Sequence, residues 1–253
     1  MLVVHRRALI ATALACGIGL VALTLAPALW VGRQVRAAAD AVSPAQSAQP
    51  ASTVIWRVLT SQPDVAVTFD DGPDPQNTPR VLATLRRYHA VATFFVLGSQ
   101  AEQYPALVHG EVAEGSEVCN HGYSHALLTG KPAAFIRADV AQAAAVLRQL
   151  GVARCPLFRF PYFASDASAR AVVAALGYRL IAASVDPQDW RGGNGQRIVR
   201  WVFQHVRRGD IILLHDGGGP RGATLAALGP ILRGLAERGL RTVTVSQLLS
   251  SVG

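Results

Sequence analysis

The sequence predicts an α/β protein built as a distorted β/α barrel of about seven parallel strands. From residue 64 onward, short apolar and β-branched segments alternate with longer helical segments, a pattern typical of parallel β-α-β units. About seven such units in about 190 residues favour a closed or nearly closed barrel over an open sheet. Polar residues also recur directly after several strands, at the edge where barrel active sites lie.

The order of the elements follows from the apolar runs and the residues that interrupt them. The strands are predicted at Val65–Phe69, Val91–Val96, Glu117–Asn120, Leu157–Phe160, Tyr178–Val185, Ile211–Leu214 and Thr242–Val245. The helices are predicted at Pro79–Tyr88, Pro132–Leu150, Ala167–Leu176, Gln196–Arg207 and Thr224–Arg238. Glycines follow four of these helices, where a C-cap needs positive φ: Gly151, Gly177, Gly209 and Gly239. Before the first unit, Val54–Leu59 is expected to lie as an edge segment on the domain.

Residues 8–31 form an almost unbroken apolar run of 24 residues, enough to cross a bilayer at about 20 residues per span. Basic residues precede the run, so residues 1–7 are predicted to be cytoplasmic and the rest of the chain extracytoplasmic. A cleavable signal usually has an apolar core of about 7–15 residues, so a single-pass anchor in the cytoplasmic membrane is favoured. Secretion after cleavage near Ala37–Ala39 is the alternative, and lipidation at Cys16 is a third. Residues 32–62 are interpreted as a linker to a domain at 63–253.

Charge and cysteine content narrow the partners and the redox chemistry. The net charge is +8, and the first 62 residues supply half of it, five arginines less Asp40. The remaining residues contain no Lys/Arg-rich run with interleaved aromatics, so nucleic acid is not an expected partner. The protein is expected to be a monomer. Cys119 and Cys155 are predicted to be buried free thiols rather than a disulfide, although an oxidising compartment would permit a bridge.

Two clusters of polar residues predict a metal-dependent hydrolase. Asp70 and Asp71 end a strand in Thr68–Pro73, and His121 and His125 follow another strand. The histidine spacing places both on one face of a helical turn, able to share an ion with a carboxylate. Each cluster alone has a structural interpretation, since Asp-Gly-Pro is ordinary turn chemistry, but together they predict three ligands and an open position that activates water. The second carboxylate is then placed to take the proton of that water.

Five segments in order make the prediction more specific. They are Thr68–Pro73, Asn120–His125, Arg159–Tyr162, Asp186–Trp190 and Leu213–His215. These segments resemble the five motifs of the polysaccharide deacetylase family, the NodB-homology carbohydrate esterases, and the resemblance covers residues 63–249.

The resemblance implies a metal site and a base beside it. Asp71, His121 and His125 would hold the metal, most often Zn²⁺, with other divalent transition metals such as Co²⁺ as options. Asp70 would be the general base, and Arg159 would pair with it and orient it.

The resemblance also implies an acid and a substrate pocket. His215 would protonate the leaving amine, with Asp189 tuning it. The backbone N–H of Tyr162 would stabilise the oxyanion, and Tyr162 would also contact the substrate. Trp190 and Leu213 would line a small pocket for the acetyl methyl group.

The implied activity is removal of N-acetyl groups from N-acetylhexosamine units of an extracytoplasmic polysaccharide, peptidoglycan first and a chitin-like glycan next. One alternative is an O-acetyl ester hydrolase that acts on a cell-wall glycan. Another is a glycan-binding pseudoenzyme in which Phe163 blocks productive binding. Family members usually carry glycine where this chain has Phe163, and that departure bears on substrate preference more than on catalysis.

Overall fold

Strands and helices alternate in the computed structural model, which describes residues 52–251. The strands are β1 (Val54–Ile55), β2 (Asp64–Asp70), β3 (Thr93–Val96), β4 (Glu117–Asn120), β5 (Leu157–Phe158), β6 (Arg179–Ile181), β7 (Ile211–His215) and β8 (Arg241–Val243). The helices are α1 (Thr78–Arg87), α2 (Gly98–Gln103), α3 (Pro105–Ala113), α4 (Ala133–Gln149), α5 (Ala167–Ala175), α6 (Gly195–His205), α7 (Gly222–Glu237) and α8 (Val245–Ser250).

The eight described strands form one sheet in which every registered strand pair is parallel. The order along the sheet is β1, β6, β5, β4, β3, β2 and β7, and β8 pairs with the first part of β2. All seven residues of β2 are buried, because this strand lies between neighbours on both edges and helices cover the sheet.

The sheet curves until its two ends nearly meet. Beyond β6, the Val185 N–H donates to the Ile211 carbonyl at 3.1 Å, and the Leu213 N–H donates to the Val185 carbonyl at 2.9 Å. The other part of the β6 edge pairs with β1. The architecture is therefore a barrel that is closed on one side only by isolated bridges, Val185 with Ile212 and Arg57 with Asp210, which confirms the predicted distorted barrel.

All seven predicted strands are present. β4 has the predicted bounds, β2 and β7 extend one residue further to end at Asp70 and His215, and β3, β5, β6 and β8 are shorter than predicted. The prediction for Tyr178–Val185, for example, extends past β6 because buried residues such as Ala182 and Ala183 continue the apolar pattern outside the ladder. The edge segment predicted before the first unit is β1. Three short helices, α2, α3 and α8, were not predicted, because their apolar positions are too few to give a helical period.

The predicted anchor at 8–31 lies outside the described residues, as do residues 1–7 and most of the predicted linker. Among the helices of residues 52–251, none has both the length and the apolar character needed to span a membrane.

The prediction of two free thiols is wrong. Cys119 and Cys155 form a disulfide with 5.2 Å between their Cα atoms. Cys119 belongs to β4, and Cys155 lies two residues before β5, the adjacent parallel strand. Because 36 residues separate the two cysteines in sequence, pairing could not be deduced from their spacing, and only the register of the sheet brings them together.

Candidate active site

The predicted polar residues come together at the carboxyl ends of four strands. Asp70 is the last residue of β2 and His215 the last of β7, and these two residues are register partners. His121 follows β4 directly, and Arg159 follows β5 directly. Since the strands are parallel, these ends share one edge of the barrel, where β/α barrel sites are built.

Asp71, His121 and His125 form a group that suits a metal ion. Each offers a ligand atom, and the three atoms lie within 4.8 Å of one another. Asp71 Oδ1 is 3.0 Å from His125 Nε2 and 3.4 Å from His121 Nε2. Burial alone would raise the pKa of Asp71, but hydrogen bonds and positive charge from the two neighbouring imidazoles, when these are protonated, hold that pKa well below its ordinary value.

The two histidines meet through a loop rather than the helical turn that their spacing predicted. Gly122 has φ +82° and His125 has φ +56°, so the segment bends twice into the left-handed region. A buried carboxylate on α4, Asp139, shapes this loop. It accepts hydrogen bonds from the backbone N–H groups of Tyr123 at 2.9 Å and Ser124 at 3.1 Å. Sequence reasoning missed Asp139, because an acidic residue in an amphipathic helix looks like a solvated one.

The surroundings of the two imidazoles leave their Nε2 atoms free to bind a cation. The Nδ1–H of His121 donates to the Arg159 carbonyl at 2.8 Å, which fixes the tautomer with its lone pair on Nε2. His125 Nδ1 lies 3.0 Å from the Tyr162 hydroxyl. Asp71 Oδ1 is buried and accepts no hydrogen bond within the described part of the chain. An orphaned carboxylate oxygen facing the Nε2 atoms of two imidazoles fits zinc, which binds two histidines and a carboxylate in hydrolases.

Asp70 lies next to this group and is held from behind by a buried arginine. Arg159 donates from Nη1 to Asp70 Oδ1 at 2.6 Å and to Thr68 Oγ1 at 2.8 Å. Its other terminal nitrogen donates to the Ala182 carbonyl at 3.1 Å, and its guanidinium stacks on Phe95 at 4.0 Å from the ring centroid. Because these contacts fix one oxygen of Asp70, the second oxygen faces His121 Nε2 at 3.8 Å.

His215 faces the group from β7 and is paired with a different carboxylate. Its Nδ1–H donates to Asp189 Oδ1 at 2.7 Å, and its backbone N–H donates to Asp189 Oδ2 at 2.9 Å. Thr224 donates a third hydrogen bond to Asp189. Burial lowers the pKa of His215, but the hydrogen bond and charge of Asp189, with the charges of Asp70 and Asp71, raise the pKa above its ordinary value.

Tyr162 and Phe163 form a strained turn above the buried arginine. Both have positive φ, +61° and +52°. Left-handed backbone costs a non-glycine residue roughly 1–2 kcal/mol, so the family's usual glycine at the second position has a steric reason. Here the Phe163 ring centroid lies 5.7 Å from Arg159 Cζ and 5.8 Å from the Trp56 ring centroid.

The two residues predicted to line an acetyl pocket differ in exposure. Trp190 is 49% exposed, and the Arg191 guanidinium lies 4.9 Å from its ring centroid. Leu213 is buried on β7, two residues before His215.

Asp216, the residue after His215, is a buried acid that is not among the predicted site residues. It is fully buried and accepts a hydrogen bond from Thr78, at the start of α1. Burial raises the pKa of Asp216 to about 7, with Thr78 opposing the shift and Asp71 adding to it. A side chain on Gly72 would collide with this carboxylate, which explains the glycine next to Asp71. Sequence reasoning missed Asp216 because the four residues after it, Gly217–Pro220, are of the types that form turns.

The fold and this constellation of residues define a carbohydrate deacetylase. The profile of the family described as "Polysaccharide deacetylase" matches residues 57–181, and the chain belongs to that family. As a member it is a hydrolase, a polysaccharide deacetylase.

Individual relatives support the assignment. The chain is 39% identical over 204 residues to peptidoglycan-N-acetylglucosamine deacetylase of Bacillus cereus, covering 79% of this chain and 95% of that protein. It is 33% identical over 195 residues to chitooligosaccharide deacetylase of Azorhizobium caulinodans, covering 72% and 93%. A crystal structure of a peptidoglycan N-acetylglucosamine deacetylase superposes with a TM-score of 0.75 at 30% identity, covering 78% and 93%.

Proposed function

We propose that the chain is a metal-dependent N-deacetylase that removes acetyl groups from N-acetylhexosamine units of peptidoglycan, with chitin-like oligomers as the next substrate class. The observation that carries the proposal is the convergence of three metal-ligand atoms, an arginine-held carboxylate and a carboxylate-paired histidine at one edge of the barrel. The relatives named for peptidoglycan and chitooligosaccharide support this choice of substrates.

Asp71, His121 and His125 would hold Zn²⁺, or another divalent transition metal such as Co²⁺. When bound, the ion supplies Lewis acidity, which lowers the pKa of water and polarises a carbonyl. The residues fit this role because Nδ1 of each imidazole faces another partner, so both Nε2 atoms face Asp71.

Asp70 acts as the general base. Its Oδ1 is engaged by Arg159, so Oδ2 is the oxygen that accepts the proton of the attacking water. Because Arg159 is buried and holds Thr68 as well, the carboxylate stays in one orientation through the reaction. The backbone N–H of Tyr162 lies in the strained turn beside His125 and stabilises the developing oxyanion.

His215 acts as the general acid. Because Asp189 raises the pKa of His215, the imidazole stays protonated at a pH above the ordinary pKa of histidine. The Nε2–H of His215 then protonates the amine as the C–N bond breaks. The products are acetate and a free amine on the sugar. Trp190 and Leu213 line the site of the acetyl methyl group.

Residues 8–31 are proposed to anchor the protein in the cytoplasmic membrane as a monomer with the catalytic domain outside, or to be cleaved for secretion. The apolar length of this segment supports an anchor. Such a location gives access to a cell-wall glycan.

Hydrolysis of an O-acetyl ester is the second candidate activity. The pairing of His215 with Asp189 distinguishes it from hydrolysis of the N-acetyl amide. An alcohol leaves with less acid assistance than an amine, so an esterase gains little from the Asp189 partner that His215 has here. This pairing favours the amide.

The test is acetate release by the full-length protein in detergent from peptidoglycan, chitin oligomers and an O-acetylated glycan. The protein is compared zinc-loaded, chelator-stripped and as Asp70→Asn, with the exposed Glu237→Gln as the matched control. We expect zinc-dependent release from the N-acetylated glycans that Asp70→Asn abolishes and Glu237→Gln retains. Zinc binding without release from any glycan would support the pseudoenzyme, and release that survives both stripping and Asp70→Asn would refute the mechanism.

A further inference from the structure

A cavity of about 260 Å³ lies beside the candidate active site, at the same edge of the barrel. Its wall residues come just after three parallel strands: Trp56 after β1, Phe160 after β5 and Ala182 after β6. The other lining residues are Val54, Phe163, Ser165, Arg170 and Ile181. The volume is near the lower end of the roughly 300–1,000 Å³ of small-molecule sites, so it suits one sugar unit or one large substituent.

The cavity joins the catalytic residues through shared side chains. The Ala182 carbonyl in its wall accepts a hydrogen bond from Arg159, the arginine that holds Asp70. Phe163 lines the cavity, its ring centroid lies 5.7 Å from Cζ of that arginine, and its neighbour Tyr162 contacts His125. The cavity and the candidate metal site are therefore joined by neighbouring side chains at one edge of the barrel.

The chemical character of the wall is aromatic with one cation. Trp56 is 50% exposed and meets Phe163 edge to face, which leaves an apolar surface for a sugar ring. Arg170 is the only charged residue among the lining residues.

The guanidinium of Arg170 is free to bind an anion. Its Nη1 donates to the Ser165 carbonyl at 2.9 Å, and within residues 52–251 it forms no ion pair. The nearby Asp166 carboxylate is already occupied, because it accepts the N–H groups of Ala169 and Gly130 at 2.7 Å each. An arginine with unused donors in an aromatic wall attracts a carboxylate.

We propose that this cavity is a subsite for an acidic sugar, one that bears a carboxylate such as the lactyl ether of N-acetylmuramic acid, next to the unit that is deacetylated. The inference rests on the proposed function and narrows its substrate class. It selects a glycan with alternating carboxylates over a neutral chitin-like chain. Phe163, where relatives usually carry glycine, supplies the wall that places the ligand under Trp56.

The experiment compares one tetrasaccharide of alternating N-acetylglucosamine and N-acetylmuramic acid with the same molecule after its carboxylates are converted to neutral amides. Acetate release by the zinc-loaded full-length protein gives kcat/KM for each form. Binding of both forms to Asp70→Asn is measured by calorimetry, so that affinity is known without turnover. Variants are Arg170→Gln, Arg170→Lys and Trp56→Ala, and Arg148→Gln on an exposed face of α4 is the control of equal charge change.

We expect the wild type to prefer the acidic form, and Arg170→Gln to reduce that preference about tenfold, the effect of losing one charge-assisted hydrogen bond. Arg170→Lys should keep part of the preference for the acidic form, because the positive charge remains but the paired N–H donors of the guanidinium are lost. Trp56→Ala should weaken binding of both forms equally.

An acidic-form preference that is absent in the wild type, unchanged in Arg170→Gln, or reduced equally by Arg148→Gln would overturn the subsite. Failure of the proposed function looks different, since no acetate would be released from either form. In that case the calorimetric preference of the Asp70→Asn protein, with and without Arg170→Gln, still decides whether the cavity binds acidic sugars.

Discussion

Two histidine–carboxylate pairs face each other across the site, and they are built in opposite ways. In the first, His121 faces Asp71 with Nε2, because its Nδ1–H is committed to the Arg159 carbonyl. In the second, His215 faces Asp189 with Nδ1–H itself. The same two chemical groups are thus joined through different nitrogens.

The partner of one ring nitrogen, a backbone carbonyl or a carboxylate, decides what an imidazole can do. A neutral carbonyl partner leaves the His121 lone pair pointing at Asp71 and favours metal binding. A buried carboxylate partner stabilises the protonated ring of His215 and favours proton donation. Substitutions in one pair should therefore change zinc binding, and substitutions in the other should change proton donation.

The largest effect is expected from Asp71→Asn, which removes the only anionic member of the first pair. Zinc affinity should fall more than the roughly 10–100-fold that is typical of losing an outer-shell partner, because a ligand itself is lost. Competition with a chromophoric chelator measures this affinity, and acetate release should disappear with it. Unchanged, stoichiometric zinc binding would show that the ion lies elsewhere, and Glu237→Gln controls for the loss of one negative charge.

His215→Ala should act on the second pair alone. Acetate release from an amide should fall about 10²–10⁴-fold, the usual contribution of general acid–base catalysis, while zinc stoichiometry stays at the wild-type value. Release from an acetyl ester should fall much less, because an alcohol needs less protonation as it leaves. The control is His205→Ala, an exposed histidine on α6. Equal losses on amide and ester would contradict the acid role.

Much of this contrast could be predicted from the sequence, and the reason is topological. Asp70 and His215 end strands and His121 follows one, and because these strands are parallel, the three residues lie at one edge of the barrel. The barrel itself followed from strand–helix alternation for the same reason.

What the sequence could not provide are contacts between elements distant in the chain. Asp139 holds the histidine loop from a helix, and nothing in its local pattern distinguishes it from a solvated acid. The Cys119–Cys155 disulfide depends on the register of two adjacent strands. The expected helical turn between the two histidines failed because Gly122 and His125 adopt positive φ, which spacing does not reveal.

The disulfide belongs structurally to the first pair, since it joins the strand before His121 to the segment before Arg159. Replacing both cysteines by alanine should lower the free energy of unfolding by about 3–4 kcal/mol, from the chain entropy of a loop of 36 residues. Denaturant titration checks the value, and reductant should destabilise the wild type but not the double variant. The alkaline limb of the profile of kcat/KM against pH, which His215 sets, should not move in the double variant. A destabilisation below about 1 kcal/mol would contradict the chain-entropy account.

The smallest and most specific effect is expected from Asp189→Asn. Asparagine can still accept the backbone N–H of His215 and the Thr224 hydroxyl, but it removes the charge that raises the pKa of His215. The folded-state pKa of His215 should therefore move down, though Asp70 and Asp71 continue to raise it. Since the acid is active only when protonated, the alkaline limb of kcat/KM for the amide should move to lower pH, and the acidic limb should not move.

A rate–pH profile of the zinc-loaded protein, with an NMR titration of the His215 ring, measures both limbs of that prediction. Glu237→Gln, which also removes one carboxylate, should leave the profile in place because it lies at the end of α7, away from the site. If the alkaline limb of kcat/KM in Asp189→Asn does not move, or moves to higher pH, Asp189 does not set the protonation of His215. The two histidine–carboxylate pairs would then differ in geometry but not in proton affinity.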